Sequence, residues 1–195
     1  MSQLETLRQA LPDYAKDIKL NLGSLLGSGA VPELTPAQRR GSALAAAVAA
    51  RQPRLLAAIE AEATAALDVT TAEAARTAAA LMAMTNVYYR AVHMAEDADL
   101  AKLPAGLRMN AMVKHGIAQA DFELFGLAAS AVKGCEGCVR AHVEGAKTHA
   151  VALPAIQAVL RIAAVVHAAA TVLDSAAATA AAATTPAPSA APALA

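Results

Sequence analysis

Both cysteines of the chain lie in one stretch, "KGCEGCVRAH", residues 133 to 142. Cys135 and Cys138 are three positions apart, and His142 follows four after the second. Residues of these types at this spacing have three readings: a redox dithiol, part of a metal site, or an inert pair. In a reducing compartment a close pair is more often catalytic or metal-binding than a structural staple. A zinc site requires four ligands. Cys135, Cys138 and His142 supply three, and the fourth would have to be Glu123 or come from another chain. Covalent haem needs a histidine directly after the second cysteine. Val139 stands there, which excludes it.

The redox reading draws on local geometry. Gly134 closes one predicted helix and Cys135 opens the next, so both thiols are expected in a first helical turn. Unpaired N–H groups and the positive dipole end there stabilise a thiolate and lower the thiol pKa. In a regular helix the Cβ atoms at i and i+3 lie about 5–6 Å apart, whereas a disulfide wants about 3.8 Å. A bridge between them is therefore strained, and strained accessible bridges are the reducible ones. His142 lies one turn past Cys138 on the same face, about 6 Å along the axis, and can exchange a proton with a thiol through a water. Glu123 sits on an otherwise apolar segment, "DFELFGLAAS". If the two helices fold as a hairpin about Gly134, Glu123 faces His142, and an acid that orients a histidine acting on cysteine is a known way to activate a thiol. His93, His115, His149 and His167 lack comparable partners and read as structural. Tyr88 and Tyr89 read as packing residues, and Met82, Met84 and Met94 as core or interface filling.

Pro and Gly divide the chain that carries these groups. Blocks open after Pro12, at Thr35-Pro36, at Pro53, at Thr70 or Thr71, and at Pro154. Further blocks are "LRMNAMVKH", "AQADFELFGLAASAVK" and the cysteine segment. None shows the period-two alternation of strands. The expectation is an all-α multi-helix bundle of about eight helices, a single domain over 1–174. Residues 175–195, an Ala/Pro/Thr-rich low-complexity tail, are expected to be disordered.

Composition limits the function. Hydrophobic residues make up 57% and aromatics 3%, with no Trp, so small side chains must pack closely. Lys plus Arg and Asp plus Glu are 16 each, a net charge of zero without a basic cluster, which argues against nucleic acid. The N-terminal stretch has charges throughout and no signal-type apolar core. "VLRIAAVVHAAATVL", interrupted by Arg161 and His167, reads as too short and too polar to span a membrane. The expectation is a soluble cytoplasmic protein.

On "ALPDYAKDIKLNL", "MTNVYYR", "GLRMN" and above all "DFELFGLAASAVKGCEGCVRAH", the chain resembles the alkyl hydroperoxide reductase D (AhpD) family of the carboxymuconolactone decarboxylase-like superfamily. The resemblance runs to about residue 174. It implies an AhpD-like helical fold, homotrimeric assembly and an antioxidant disulfide reductase with weak peroxidase activity. It also implies that Cys138 is the nucleophile forming a sulfenic acid and a mixed disulfide, that Cys135 is proton donor and resolving thiol, and that His142 and Glu123 are a proton relay. The 135–138 redox disulfide, the absence of a tightly bound cofactor or metal, and dihydrolipoamide as electron donor follow from it too. The implied partners are a peroxiredoxin of the alkyl hydroperoxide reductase C type and a lipoylated 2-oxo acid dehydrogenase component with lipoamide dehydrogenase. Two positions depart from the family's usual polar residues, Gly137 before the second cysteine and Val143 after the histidine. Other classes remain: a decarboxylase-type member of the superfamily, a zinc-binding helical module, and a helical interaction protein with incidental thiols.

Overall fold

The structure is a computed structural model that describes residues 1–27 and 31–184. Among them are nine α-helices and no strand, in the order α1 (Gln3–Gln9), α2 (Lys16–Leu26), α3 (Pro36–Ala50), α4 (Pro53–Ala66), α5 (Val69–Met94), α6 (Ala98–Lys102), α7 (Gln119–Lys133), α8 (Glu136–Thr148) and α9 (Leu153–Thr184). The all-α bundle is as expected, with eight helices of seven or more residues.

Helix α3 shows how so alanine-rich a chain builds a core. Thr35 caps it through Gln38 N–H, Gln38 reaches back to Thr35 N–H, and Pro36 occupies the first helical position. Its middle, Gly41 through Ala47, is buried on every side. Small side chains let neighbouring axes approach closely, and α5, α7 and α9 pack around it. The Phe125 ring of α7 lies directly over Gly41, where any Cβ would collide with it. Phe122 and Phe125 are the largest fully buried side chains. Burying a side chain of this kind contributes about 1.5–3 kcal/mol, so these two rings fix α7, which carries Glu123, against the centre of the bundle.

Three boundaries differ from the sequence reading. Asp68, rather than Thr70 or Thr71, caps α5, accepting from Thr71 N–H at 2.9 Å and Thr71 Oγ1 at 2.7 Å. The "LRMNAMVKH" block forms only a 3₁₀ turn at Asn110–Met112. It lies between Gly106 and Gly116, both at positive φ, and so short a segment does not repay helix nucleation. Helix α9 continues ten residues past the expected boundary at 174, to Thr184. The alanine run there has the highest intrinsic helix propensity and extends a helix already nucleated. The remainder of the expected tail, 185–195, lies outside the described residues. This length also alters the membrane expectation. By length and apolarity alone α9 is sufficient to cross a bilayer, yet half of its apolar window is buried inside the bundle.

Candidate active site

Helices α7 and α8 form the hairpin that the site needs. Gly134 adopts the left-handed conformation at φ 65° and ends α7. Its N–H donates to Ala131 O at 3.2 Å, and Cys135 N–H donates to Ser130 O at 3.3 Å. This is a Schellman-type close, which glycine allows without steric cost. Arg90 of α5 donates through Nη1 to Lys133 O at 2.7 Å and so ties the same turn to a third helix.

Cys135 is the N-cap of α8 in extended conformation, φ −92° and ψ 99°, and Cys138 is the third helical residue. The expectation that both cysteines lie within the first turn is thus corrected for Cys135. Cys135 makes no side-chain cap hydrogen bond, and its extended backbone sets it outside the regular helix that holds Cys138. With Cys135 outside the helix, the spacing of two helical residues does not apply to this pair. Both are free thiols and buried, 1% and 7% exposed. The expected lowering of thiol pKa is also corrected for Cys138. Burial pushes it up to about 12, the contact with Cys135 adds to this, and the charge of Arg90 and a backbone N–H oppose it only in part. A Cys138 thiol held this firmly in its protonated form requires a base to react.

His142 is the candidate base. Its Nδ1 lies 2.7 Å from Glu123 Oε2, and both side chains are largely buried, at 6% and 12% exposure. The other carboxylate oxygen, Oε1, accepts from Gln119 Nε2 at 2.8 Å. Burial raises the Glu123 pKa, but the hydrogen bonds from His142 and Gln119 outweigh it and hold the carboxyl below its ordinary range. An anionic Glu123 accepts only, so Nδ1 of His142 carries the proton and Nε2 is the basic nitrogen. Nε2 lies 2.9 Å from Met82 Sδ. A thioether is a weak acceptor, so it serves Nε2–H once the ring has taken a proton.

Two glycines make this contact possible, one on each helix. A Cβ at Gly126 of α7 would stand 2.5 Å from Cε1 and 2.7 Å from Nε2 of His142, and one at Gly145 of α8 would stand 2.7 Å from Glu123 Cδ. Each side chain of the pair thus rests on the backbone of the opposite helix. Gly126→Ala is expected to displace the imidazole, costing about 1–3 kcal/mol of stability through overpacking. It should slow thiol chemistry about a hundredfold, as misplacing a catalytic group by about 1 Å does. Denaturant midpoints and dithiol oxidation rates measure the two effects. At Gly137, by contrast, a Cβ meets nothing within 4 Å, so that position has space for a larger side chain.

A cleft of about 890 Å³ opens between α5, α6, the 3₁₀ turn and α8. Cys138 and His142 lie on its wall together with Met82, Tyr89, Met109 and Met112. Cys135 is not among its lining residues. The structure therefore brings Cys135, Cys138, His142 and Glu123 together. It also adds Gln119, Met82 and Arg90, which the sequence reading did not select. Met82 is buried, as core filling would be, while Met94 is 73% exposed and fills nothing in the chain itself. Tyr88 and Tyr89 pack on each other edge to face at 5.2 Å. His93, read in the sequence as structural, lines the same cleft, with its Nε2 4.0 Å from Glu136 Oε2 at an exposed site.

An all-α bundle that holds a buried cysteine pair, with Cys138 on the wall of a cleft and a buried Glu–His pair one turn on, defines a helical protein with a candidate thiol site. The profile of the Carboxymuconolactone decarboxylase family matches residues 98–182, which hold Gln119, Glu123, Cys135, Cys138 and His142 but not Met82 or Arg90 of α5. The chain is 50% identical over 164 residues to the Alkyl hydroperoxide reductase AhpD of Anaeromyxobacter sp. (strain K), covering 84% of this chain and 87% of the relative. To the protein of the same name from Bradyrhizobium sp. (strain BTAi1 / ATCC BAA-1182) it is 46% identical, covering 83% and 87%. To that of Coxiella burnetii (strain Dugway 5J108-111) it is 45% identical, covering 83% and 91%. The chain belongs to the AhpD family.

Proposed function

We propose that this protein is an antioxidant thiol–disulfide oxidoreductase that regenerates a peroxiredoxin with electrons from dihydrolipoyl groups and reduces alkyl hydroperoxides directly but weakly. The observation that carries this reading is the asymmetry of the dithiol. Cys138 and His142 both line the cleft, while Cys135 is 1% exposed and off the cleft wall. That arrangement supports Cys138 as nucleophile and Cys135 as resolving thiol. His142 Nε2 takes the Cys138 proton, and the imidazolium is stabilised by Glu123.

With an oxidised partner, the Cys138 thiolate attacks one sulfur and the other leaves as thiolate, taking up a proton. Cys135 then attacks Cys138 Sγ, closes the 135–138 disulfide and releases the partner with both thiols reduced. With a hydroperoxide, the thiolate attacks the terminal oxygen, giving Cys138 sulfenic acid and the alcohol. Cys135 condenses with it and water leaves. In either case a dihydrolipoyl group returns two electrons and two protons through thiol exchange and becomes the cyclic disulfide. The apolar cleft suits an uncharged dithiolane arm. The expected assembly is a homotrimer in the cytoplasm.

The test is disulfide reduction by defined donors. Reduced lipoamide with lipoamide dehydrogenase and NADH should restore both thiols and sustain turnover of an alkyl hydroperoxide or an oxidised peroxiredoxin, and NADPH alone should not. No reduction by the dihydrolipoyl donor would defeat this reading. The zinc alternative has no ligand set among the described residues, since no three His, Cys, Asp or Glu side chains are placed to hold a metal. A decarboxylase reading uses the Glu–His pair without the thiols, so it predicts full activity on its substrate when both cysteines become serine.

A further inference from the structure

Glu123 is the fourth member of a hydrogen-bonded chain that begins outside the cleft. Ile117 N–H donates to His115 Nδ1 at 3.4 Å, which leaves the ring proton on Nε2. That nitrogen lies 2.8 Å from Gln119 Oε1. The amide nitrogen of Gln119 donates to Glu123 Oε1 at 2.8 Å and to Met112 O at 3.4 Å. A carboxylate and a carbonyl only accept, so a flipped amide would place oxygen against oxygen at two contacts and nitrogen against Nε2–H at the third. The His115 ring is itself held by stacking on Phe122, centroids 4.1 Å apart and planes 10° from parallel. Every polarity along the chain is therefore fixed, from the Ile117 amide to His142 Nδ1.

We propose that Gln119, oriented by His115, is a positioning residue of this site: it holds Glu123 as a pure acceptor toward His142 and so keeps His142 Nε2 free to take the thiol proton. This rests on the proton-relay reading above. An amide does not relay protons readily, so Gln119 sets direction without carrying charge. The titratable groups facing the Glu123 carboxylate are His142 and His149 from α8 and its C-cap, with His115 behind Gln119. Without the Gln119 donor, Glu123 loses one of two hydrogen bonds that favour its anion, and protonates at higher pH.

Gln119→Leu keeps size and helix propensity, and its rate of peroxide turnover with reduced lipoamide should fall about tenfold at neutral pH. The acid limb of its pH–rate profile should move to higher pH. Because Gln119 is not among the residues lining the cleft, KM for reduced lipoamide should not change. His115→Phe retains the stacking but not the donor, and should move the limb the same way. A purely structural role would lower the melting temperature of either variant without moving the limb. In the unmodified protein, ¹⁵N shifts should show His115 as the Nε2–H tautomer, a result that needs no variant to fold. The Nδ1–H tautomer, or a Gln119→Leu enzyme with unchanged rate and profile, overturns the inference. If Glu123→Gln also leaves activity intact, the relay reading fails with it. If Glu123→Gln inactivates while Gln119→Leu does not, only the role of Gln119 is lost.

Discussion

Cys135→Ser should accumulate a covalent adduct with an oxidised peroxiredoxin, and Cys138→Ser should accumulate none. The reason is access. Cys138 lies on the cleft wall with His142, and Cys135 is 1% exposed and off that wall. Position relative to the helix start alone would favour Cys135, the N-cap. A thiol whose proton is held by burial and by its neighbour, however, reacts where a base can take that proton. In Cys135→Ser the Cys138 thiolate still attacks the partner disulfide, but no second thiol releases it. Turnover should drop to background in both variants, a loss of at least about 10³-fold, with non-reducing gels separating them. Adduct only in Cys138→Ser would reverse the roles, and adduct in neither would remove the exchange mechanism. Both substitutions are nearly isosteric, so stability should change little.

Glu123→Gln should lower activity by about 10²–10⁴-fold, the usual range for losing a general base. Gln119 presents an N–H to the position of Oε1, so the new amide must turn its oxygen there. Its NH₂ then faces His142 Nδ1, 2.7 Å from the replaced oxygen. Nδ1 becomes the acceptor, the ring proton moves to Nε2, and Nε2 can no longer take a proton. Stability should fall far less, about 1 kcal/mol, because neutral hydrogen bonds replace charged ones. In the unmodified protein the pH dependence follows from the Glu123 shift. Its folded pKa lies below the ordinary value. The stabilisation from the pair is therefore complete above the unfolded-state carboxyl pKa and is lost as pH falls through the lowered folded one. Activity should disappear over the same acid window, which a stability titration and a pH–rate profile can compare directly.

The helical class of this protein, and the identity of its reactive groups, were legible because both are local. Thr35-Pro36 is a start signal in any context and it does open α3, where Gln38 completes a capping box that the sequence reading did not include. Gly134 between an apolar helix and a cysteine pair marks a turn, because only left-handed backbone closes α7 there at low cost. Glu123 stood out as a carboxylate among apolar residues, and it does meet His142. Local rules failed where energies compete over distance. Helix propensity could not show that "LRMNAMVKH" stays mostly unwound beside the cleft or that α9 runs to Thr184.

What the tertiary structure alone decided is the electrostatics. The helix start argues for an acidic thiol, but burial by α5 and α7 is a property of packing and reverses the shift at Cys138. His115 and Gln119 carry no spacing signature of a relay. They join Glu123 only because α7 brings positions 119 and 123 onto one face and the preceding loop folds back on Phe122. The sequence reading did not select Gly126 or Gly145, and only the crossing of α7 and α8 shows that an imidazole and a carboxylate occupy the space their side chains would take. Sequence spacing names the groups that can react, whereas proton positions depend on which atoms from distant segments lie within about 3 Å of one another, and that is set by the packing of the whole bundle.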